Sequence, residues 1–259
     1  MANIKVNGLN VEYRQTGSGR DLVLLHSLLT DMTVFAAVEP ALAGTRRLTL
    51  FNLPGYGAST AADARSIEDY ADHVAAVIAA LNLPVASDVF GNGFGGFVTV
   101  ALAARHGAKF DRLVIADALA EFPPSAKAPF QSMASRVETE GMGAVLDAAI
   151  ARMFPAAFVA AHPQIIAERK AALAKADAPA FARACRALAA LDFAPVLGRI
   201  KNRTLVTVGE FDATTPPAGA AQLAAGIAGA QYRPLANCGH CPMLEQPAAL
   251  VSLLDQFLG

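Results

Sequence analysis

Between Ser87 and Gly107 the chain passes from a short β-rich run, Ser87–Phe90, through the glycine cluster Gly91-Asn92-Gly93-Phe94-Gly95-Gly96 into an Ala- and Val-rich helical pattern ending near His106-Gly107. No linker separates the three. Glycine tolerates the tight backbone that such a turn demands, because it has no Cβ to clash. The unit is a strand whose carboxyl end feeds a helix N-terminus, the building block of parallel sheets covered by helices.

The surrounding sequence repeats that rhythm. Ile4–Val6 and Val11–Tyr13 flank Asn7-Gly8, a strong hairpin turn signal. Asp21–Leu25 is a buried strand running into His26-Ser27-Leu28-Leu29-Thr30-Asp31, followed by a helix pattern from Met32 to Leu42. Arg47–Phe51 is the next strand, stopped by the loop Asn52-Leu53-Pro54-Gly55-Tyr56-Gly57. Ser66 caps a helix running to Leu81, with Glu68 and Asp69 in the first turn, where the helix dipole favours negative charge. Leu113–Ala116 is a further strand, after which Glu121 to Leu191 reads as helix upon helix with breaks at Pro155, Pro163 and Pro179. Alternation resumes with the strand Thr204–Val208, a helix over Ala218–Ala225, the strand Gln231–Pro234 and a last helix from Ala248 to Leu258. The expected class is α/β, a mostly parallel central sheet flanked by helices. Residues 1–119 and 196–259 form its core, and residues 120–195 form a helical lid.

With 259 residues, 54% of them hydrophobic, the chain suits one large domain. Its 21 Lys and Arg nearly balance 22 Asp and Glu, and no like-charge cluster exceeds Arg46-Arg47 or Glu138-x-Glu140, so no nucleic-acid or anionic-membrane partner is expected. Apolar runs such as Val74 to Leu81 fall far short of the roughly 20 residues that span a bilayer. The opening residues, Met1 to Val6, have no secretory pattern, and a cytoplasmic location is expected. Cys185, Cys238 and Cys241 are too few for a disulfide framework, and a zinc site needs about four ligands where only His240 lies near the Cys238-x-x-Cys241 pair. They read as small apolar fillers, and no metal or organic cofactor is implied.

In an open parallel sheet ligands bind beyond the carboxyl ends of the strands. Four loops there carry polar or glycine-rich punctuation: His26–Leu29, Gly91–Gly96, Gly209–Pro217 and Ala236–Pro242. The last two place an acid and an imidazole on neighbouring strands. A carboxylate beside a histidine fixes its tautomer and orientation, so His240 is the expected base and Asp212 its partner. Glu210 competes with Asp212 for that role, and Asp117, also at a strand end, is a further contender.

At this point the chain resembles the α/β-hydrolase superfamily, over nearly its whole length, and the order elbow, acid, histidine matches. His26-Ser27-Leu28-Leu29-Thr30-Asp31, Ala184-Cys185-Arg186-Ala187-Leu188 and Gly209-Glu210-Phe211-Asp212-Ala213-Thr214-Thr215-Pro216-Pro217 are similar to the 3-oxoadipate enol-lactonases. Gly91-Asn92-x-Phe94-Gly95-Gly96 also resembles the elbow of the meta-cleavage-product hydrolases. The resemblance implies an α/β-hydrolase fold and a small organic acid ester, enol-lactone or ring-fission product as substrate. It also implies an oxyanion hole made by the backbone N–H groups of Phe94 and Leu28, donors typically worth about 3–4 kcal/mol of transition-state stabilisation.

The departure lies in the elbow, where the family pattern G-x-S-x-G falls on Gly91-Asn92-Gly93-Phe94-Gly95. Gly93 holds the place of the nucleophile and has no side chain to attack with. No Ser, Cys, Thr or Asp lies between Gly91 and Val98. Two readings follow: a Ser to Gly knockout made to trap a substrate, or a natural variant in which His240, held by Asp212, activates water or deprotonates the substrate itself. The alternatives to a hydrolase are a ligand-binding homologue without catalysis and a cofactor-free base catalyst such as a lyase or an oxygenase.

For the substrate pocket, His26 and Ser27 are expected contacts. Phe130, Met133, Met153, Phe154 and Phe158 are candidate walls, and Arg136, Arg152 and Arg186 are candidate carboxylate clamps. His162, before Pro163, reads as a helix-break residue. The sequence leaves the oligomeric state undetermined.

Overall fold

The computed structural model describes residues 1–259. Asn7 and Gly8 take φ of 50° and 81°, the left-handed pair whose twist matches an antiparallel hairpin. Strand β1 (Ala2–Val6) accordingly folds back on β2 (Leu9–Thr16). With β3 (Arg20–Leu25), β4 (Arg46–Phe51), β5 (Asp88–Asn92), β6 (Arg112–Ala116), β7 (Arg203–Thr207) and β8 (Gln231–Tyr232) they form one eight-stranded sheet of order β1-β2-β4-β3-β5-β6-β7-β8. The six strands from β3 to β8 are mutually parallel, and β2, antiparallel to both β1 and β4, alone runs the other way. Their carboxyl ends therefore converge on one edge. Leu22–Leu25 and Val89-Phe90 are buried outright, as strands covered on both faces must be.

The helices outside the insertion are α1 (Glu39–Ala43), α2 (Ile67–Ala80), α3 (Phe94–His106), α9 (Pro217–Ala225), α10 (Pro242–Glu245) and α11 (Pro247–Leu258). Ser66 caps α2 by accepting the Asp69 N–H, and the Asp69 carboxylate accepts the Ser66 N–H in return, which satisfies two donors at the helix start. The helix expected from Met32 to Leu42 is split instead. Asp31 caps a single 3₁₀ turn over Met32–Phe35, and α1 begins afresh at Glu39 with Pro40 in its first turn, where the missing proline N–H costs nothing. The strand expected over Gln231–Pro234 ends at Tyr232, since Pro234 has no ladder donor.

Between β6 and β7 the chain builds α4 (Pro124–Glu140), α5 (Leu146–Met153), α6 (Ala156–Ala161), α7 (Pro163–Leu173) and α8 (Ala178–Ala190). Pro155 and Pro163 separate α5, α6 and α7, whereas Pro179 sits in the first turn of α8, capped by Asp177 accepting from the Ala180 N–H. The neck of the insertion is closed by a bridge between Glu121 and Asp192. Aromatic contacts tie it to the sheet layer: Phe97 of α3 lies 5.2 Å from Phe122, which lies 4.8 Å from Phe130 of α4. One hydrophobic cluster runs through both parts. No helix is long and apolar enough to cross a membrane.

Candidate active site

Gly93 joins β5 to α3 with φ 53° and ψ −116°, a conformation that costs a residue with a Cβ about 1–3 kcal/mol. Two residues on, a Cβ at Gly95 would stand 2.3 Å from the Leu25 carbonyl oxygen, so only glycine lets the start of α3 lie against β3. The elbow expected from the sequence thus forms around a residue without a side chain. The Phe94 N–H, at the first position of α3, is one of the unpaired donors of a helix start. Across from it the Leu28 N–H donates to no group of the chain, while the Leu28 carbonyl is pinned by the Tyr56 hydroxyl at 2.7 Å. These are the two donors the resemblance implied for an oxyanion hole.

His240 lies in the loop between β8 and α10. Its N–H donates to the Met153 carbonyl at 3.1 Å, and its carbonyl accepts from Asn92 Nδ2 at 3.1 Å. Glu245 clasps the same loop by accepting from the Gly239 N–H at 2.7 Å and the Cys241 N–H at 2.9 Å. The ring Nδ1 stands 2.7 Å from Asp212 Oδ2. An ionised carboxylate only accepts, so Nδ1 carries the proton and Nε2 presents its lone pair. That Nε2 would lie 2.8 Å from a Cβ at Gly93.

Asp212 accepts from the N–H groups of Thr214 and Thr215 at 2.8 and 2.9 Å and from the Thr215 hydroxyl. Burial pushes its pKa up, but the attraction of His240 and the hydrogen bonds from His240 and Thr215 outweigh it, and the carboxyl sits below the ordinary range. Asp117 reaches the same place from the end of β6, with φ 55°, accepting from the Gly209 N–H at 3.0 Å and Asn92 Nδ2 at 2.6 Å. Burial, and then the charge on Asp212, push the Asp117 carboxyl well above its usual range. Of the two carboxyls, Asp117 is thus the one biased toward its protonated form and Asp212 the one biased toward its charged form. Glu210, the competitor for Asp212, is exposed and accepts from the Asn237 N–H instead. Asp117, Asp212 and His240 could together face an ion, but each carboxylate oxygen is already engaged by a donor of the chain.

Beneath the insertion these groups open on a narrow chamber walled by Phe97, Phe122, Phe130, Met133 and Leu188, with Ser27, Thr214, Arg152 and His240 as its polar members. Its volume of about 20 Å³ is of the order of one water molecule, so a larger molecule has to displace side chains of the insertion. Arg152 forms no salt bridge. Its guanidinium lies 5.2 Å from the centre of the Phe130 ring, and burial lowers its pKa.

Several expected contacts lie elsewhere. His26 is buried with Nδ1 donating to the Ser27 carbonyl at 2.8 Å and Nε2 accepting the Leu53 N–H at 3.0 Å, and burial lowers its pKa to about 4. It braces two loops and does not face the chamber. Arg136 pairs with Glu140 at 3.7 Å on the exposed side of α4, and Arg186 forms two 2.7 Å bonds to Glu138. Met153 contributes its carbonyl to His240, not its side chain to the wall. Phe154 stacks on Phe158 at 5.0 Å, Phe158 meets His162 at 4.4 Å, and Phe154 lines a larger depression of about 440 Å³ on the outside of the insertion. The three cysteines are buried free thiols, with Cys185 pushed up to about 12 by burial. Glu245 and Asn92, which position the His240 loop, carry no signal that spacing alone would expose.

The pattern of the alpha/beta hydrolase family matches residues 22–253. The chain is 30% identical over 275 residues to the 2-hydroxymuconate semialdehyde hydrolase of Pseudomonas sp. (strain CF600), covering 97% of this chain and 91% of that protein. It is 23% identical to 3-oxoadipate enol-lactonase 1 of Acinetobacter baylyi, covering 96% of this chain and 92% of that one. The crystal structure of the enol-lactonase from Burkholderia xenovorans LB400 superposes with a TM-score of 0.92 at 30% identity, covering 99% of each chain.

Proposed function

Because the chain belongs to the alpha/beta hydrolase family, we propose that it hydrolyses a small ester, enol-lactone or ring-fission product bearing a carboxylate, with His240 as general base. The observation that carries this reading is the aim of His240 Nε2 at the position above Gly93 while Asp212 holds Nδ1. A base so placed withdraws the proton from the oxygen that attacks the carbonyl, a step worth roughly 10²–10⁴ in rate. The Leu28 and Phe94 N–H groups receive the charge that develops on the carbonyl oxygen. Arg152, the one arginine lining the chamber and in no salt bridge, supplies the partner for a substrate carboxylate. The insertion acts as the lid that excludes water during the reaction.

The test is turnover of a panel of aryl esters, enol-lactones and vinylogous ring-fission acids by the chain and by His240→Gln. Saturable turnover that falls at least about 100-fold in the variant is expected. Tight saturable binding of such a compound without any turnover would instead make the protein a binder.

A further inference from the structure

A base needs an oxygen to act on, and the space above Gly93 already contains one. A Cβ at Gly93 would lie 2.3 Å from Ser27 Oγ and 3.0 Å from Ser27 Cβ, as well as 2.8 Å from His240 Nε2. The Ser27 side chain, from the loop after β3, therefore reaches into the place where an elbow serine would stand, in the chamber that His240 also lines. We propose that Ser27 is the nucleophile of this chain, a proposal that rests on the hydrolase reading above and names the oxygen that His240 activates.

Three observations support it. Ser27 is 2% exposed, yet its hydroxyl enters no hydrogen bond within the chain and its side chain lines the chamber. The other hydroxyls nearby are committed: Thr214 Oγ1 donates to the Arg152 carbonyl at 3.0 Å, Thr215 Oγ1 is bonded to Asp212, and Thr30 Oγ1 is bonded to the Ser27 backbone. Secondly, the Ser27 backbone is fixed. Its carbonyl accepts from His26 Nδ1 at 2.8 Å and from the Thr30 N–H at 3.2 Å, and its N–H donates to Thr30 Oγ1 at 3.1 Å. Only its χ1 torsion is left to adjust, so little order has to be created when it attacks. Thirdly, the oxyanion donors suit either serine. An elbow uses the N–H of the residue after the nucleophile, and Leu28 stands in that relation to Ser27 as Phe94 does to Gly93.

The step balances without a co-reactant. As Ser27 Oγ bonds to the carbonyl carbon, its proton passes to His240 Nε2 and the C=O π pair moves onto oxygen, facing the Leu28 and Phe94 N–H groups. With an ester or enol-lactone, the pair returns, the C–O bond to the leaving group breaks, and the departing oxygen takes the proton from Nε2. Water then attacks the Ser27 ester, giving its proton to Nε2, and Ser27 leaves with that proton as the free hydroxyl.

The experiment treats the full chain, Ser27→Ala and His240→Gln with an alkyl fluorophosphonate, which phosphonylates an activated serine with loss of fluoride, and locates the adduct by intact mass and peptide mapping. Ester turnover is followed in parallel, and thermal melts establish that each variant is folded. The expected result is one adduct per chain, on Ser27, absent from Ser27→Ala and formed at least about 100-fold more slowly in His240→Gln. Turnover should disappear with the adduct. His240-dependent turnover that persists in Ser27→Ala overturns the proposal, leaves the hydrolase reading standing, and makes water the attacking oxygen. Turnover lost in Ser27→Ala without any adduct on Ser27 in the unchanged chain also overturns it, reducing Ser27 to a positioning residue. Neither adduct nor turnover in the unchanged chain overturns both.

Discussion

Asp117, directly after β6, and Asp212, in the loop after the adjacent strand β7, present carboxyl oxygens within 4.8 Å of each other beside His240, yet their acidities are pushed in opposite directions. Burial raises both carboxyls; for Asp212 the imidazole and three donors from Thr214 and Thr215 outweigh it, whereas for Asp117 the charge on Asp212 adds to it and the donors from Gly209 and Asn92 do not compensate. One negative charge at this depth is stabilised by the imidazole, and a second is expelled by the first.

Asp212→Asn should therefore lower kcat by about 10³–10⁴ with little change in KM, because the amide can no longer hold His240 in the tautomer that exposes Nε2. Asp117→Asn should cost less than about 10-fold, since Asp117 forms no hydrogen bond with His240 and its carboxyl already leans toward the uncharged form. Steady-state kinetics of the two variants checks the assignment, and an equal loss in both would contradict it.

The pH dependence of stability follows with a definite sign. Asp117 binds its proton more tightly folded than unfolded, so its contribution is present below the ordinary carboxyl pKa of 3.8 and is lost as pH rises toward the raised folded value. Asp117→Asn removes that loss. In urea titrations from pH 4 to 8, the stability of the variant relative to the unchanged chain should increase with pH.

His26 has the opposite sign. Its pKa falls from 6.5 to about 4 on folding, so the unfolded chain binds the extra proton between those values and stability declines as pH drops through that window. A shift of this size corresponds to about 3 kcal/mol. His26→Gln should flatten the acid limb of the stability curve between pH 6.5 and 4, at some cost at neutral pH from the altered contact with the Leu53 N–H.

Arg152→Met keeps the apolar stem and removes the cation. KM for substrates with a free carboxylate should rise about 10–100-fold, in line with the loss of a charge-assisted hydrogen bond, while the corresponding neutral methyl esters are unaffected. Arg136→Met and Arg186→Met, on the exposed face of the insertion, should leave both unchanged.

Gly93→Ser places a Cβ 2.3 Å from Ser27 Oγ, so the Ser27 hydroxyl has to rotate away. The left-handed φ of 53° should reduce stability by about 1–3 kcal/mol, read as a fall in the urea midpoint. Phosphonylation should move from Ser27 to position 93, and an adduct that stays on Ser27 would show that the new side chain is not accommodated at the elbow.

Much of the scaffold was legible in the chain because it rests on local rules. Asn7-Gly8 specified the hairpin and Ser66 the start of α2, while the glycine cluster specified the elbow, since in each case the backbone geometry is set by residues a few positions apart. The interruption of Met32–Leu42 was equally local, written in Pro40. Residues of the insertion were less legible. Arg136 and Arg152 are indistinguishable as members of amphipathic helices, and which one faces the chamber depends on how α4 and α5 are rotated against Phe122 and the strand ends. His26 and Ser27 are neighbours in one loop, but one ring turns back onto backbone atoms and the other side chain turns into the chamber.

The sequence by itself determined the α/β class, the strand-end loops that carry chemistry, and the fact that position 93 offers no nucleophile. Tertiary structure decided which acid pairs with His240, which arginine meets the chamber, and that the Ser27 hydroxyl lies beside Gly93. Those properties depend on ångström distances and on exclusion of water, and both arise only when segments remote along the chain are packed against one another.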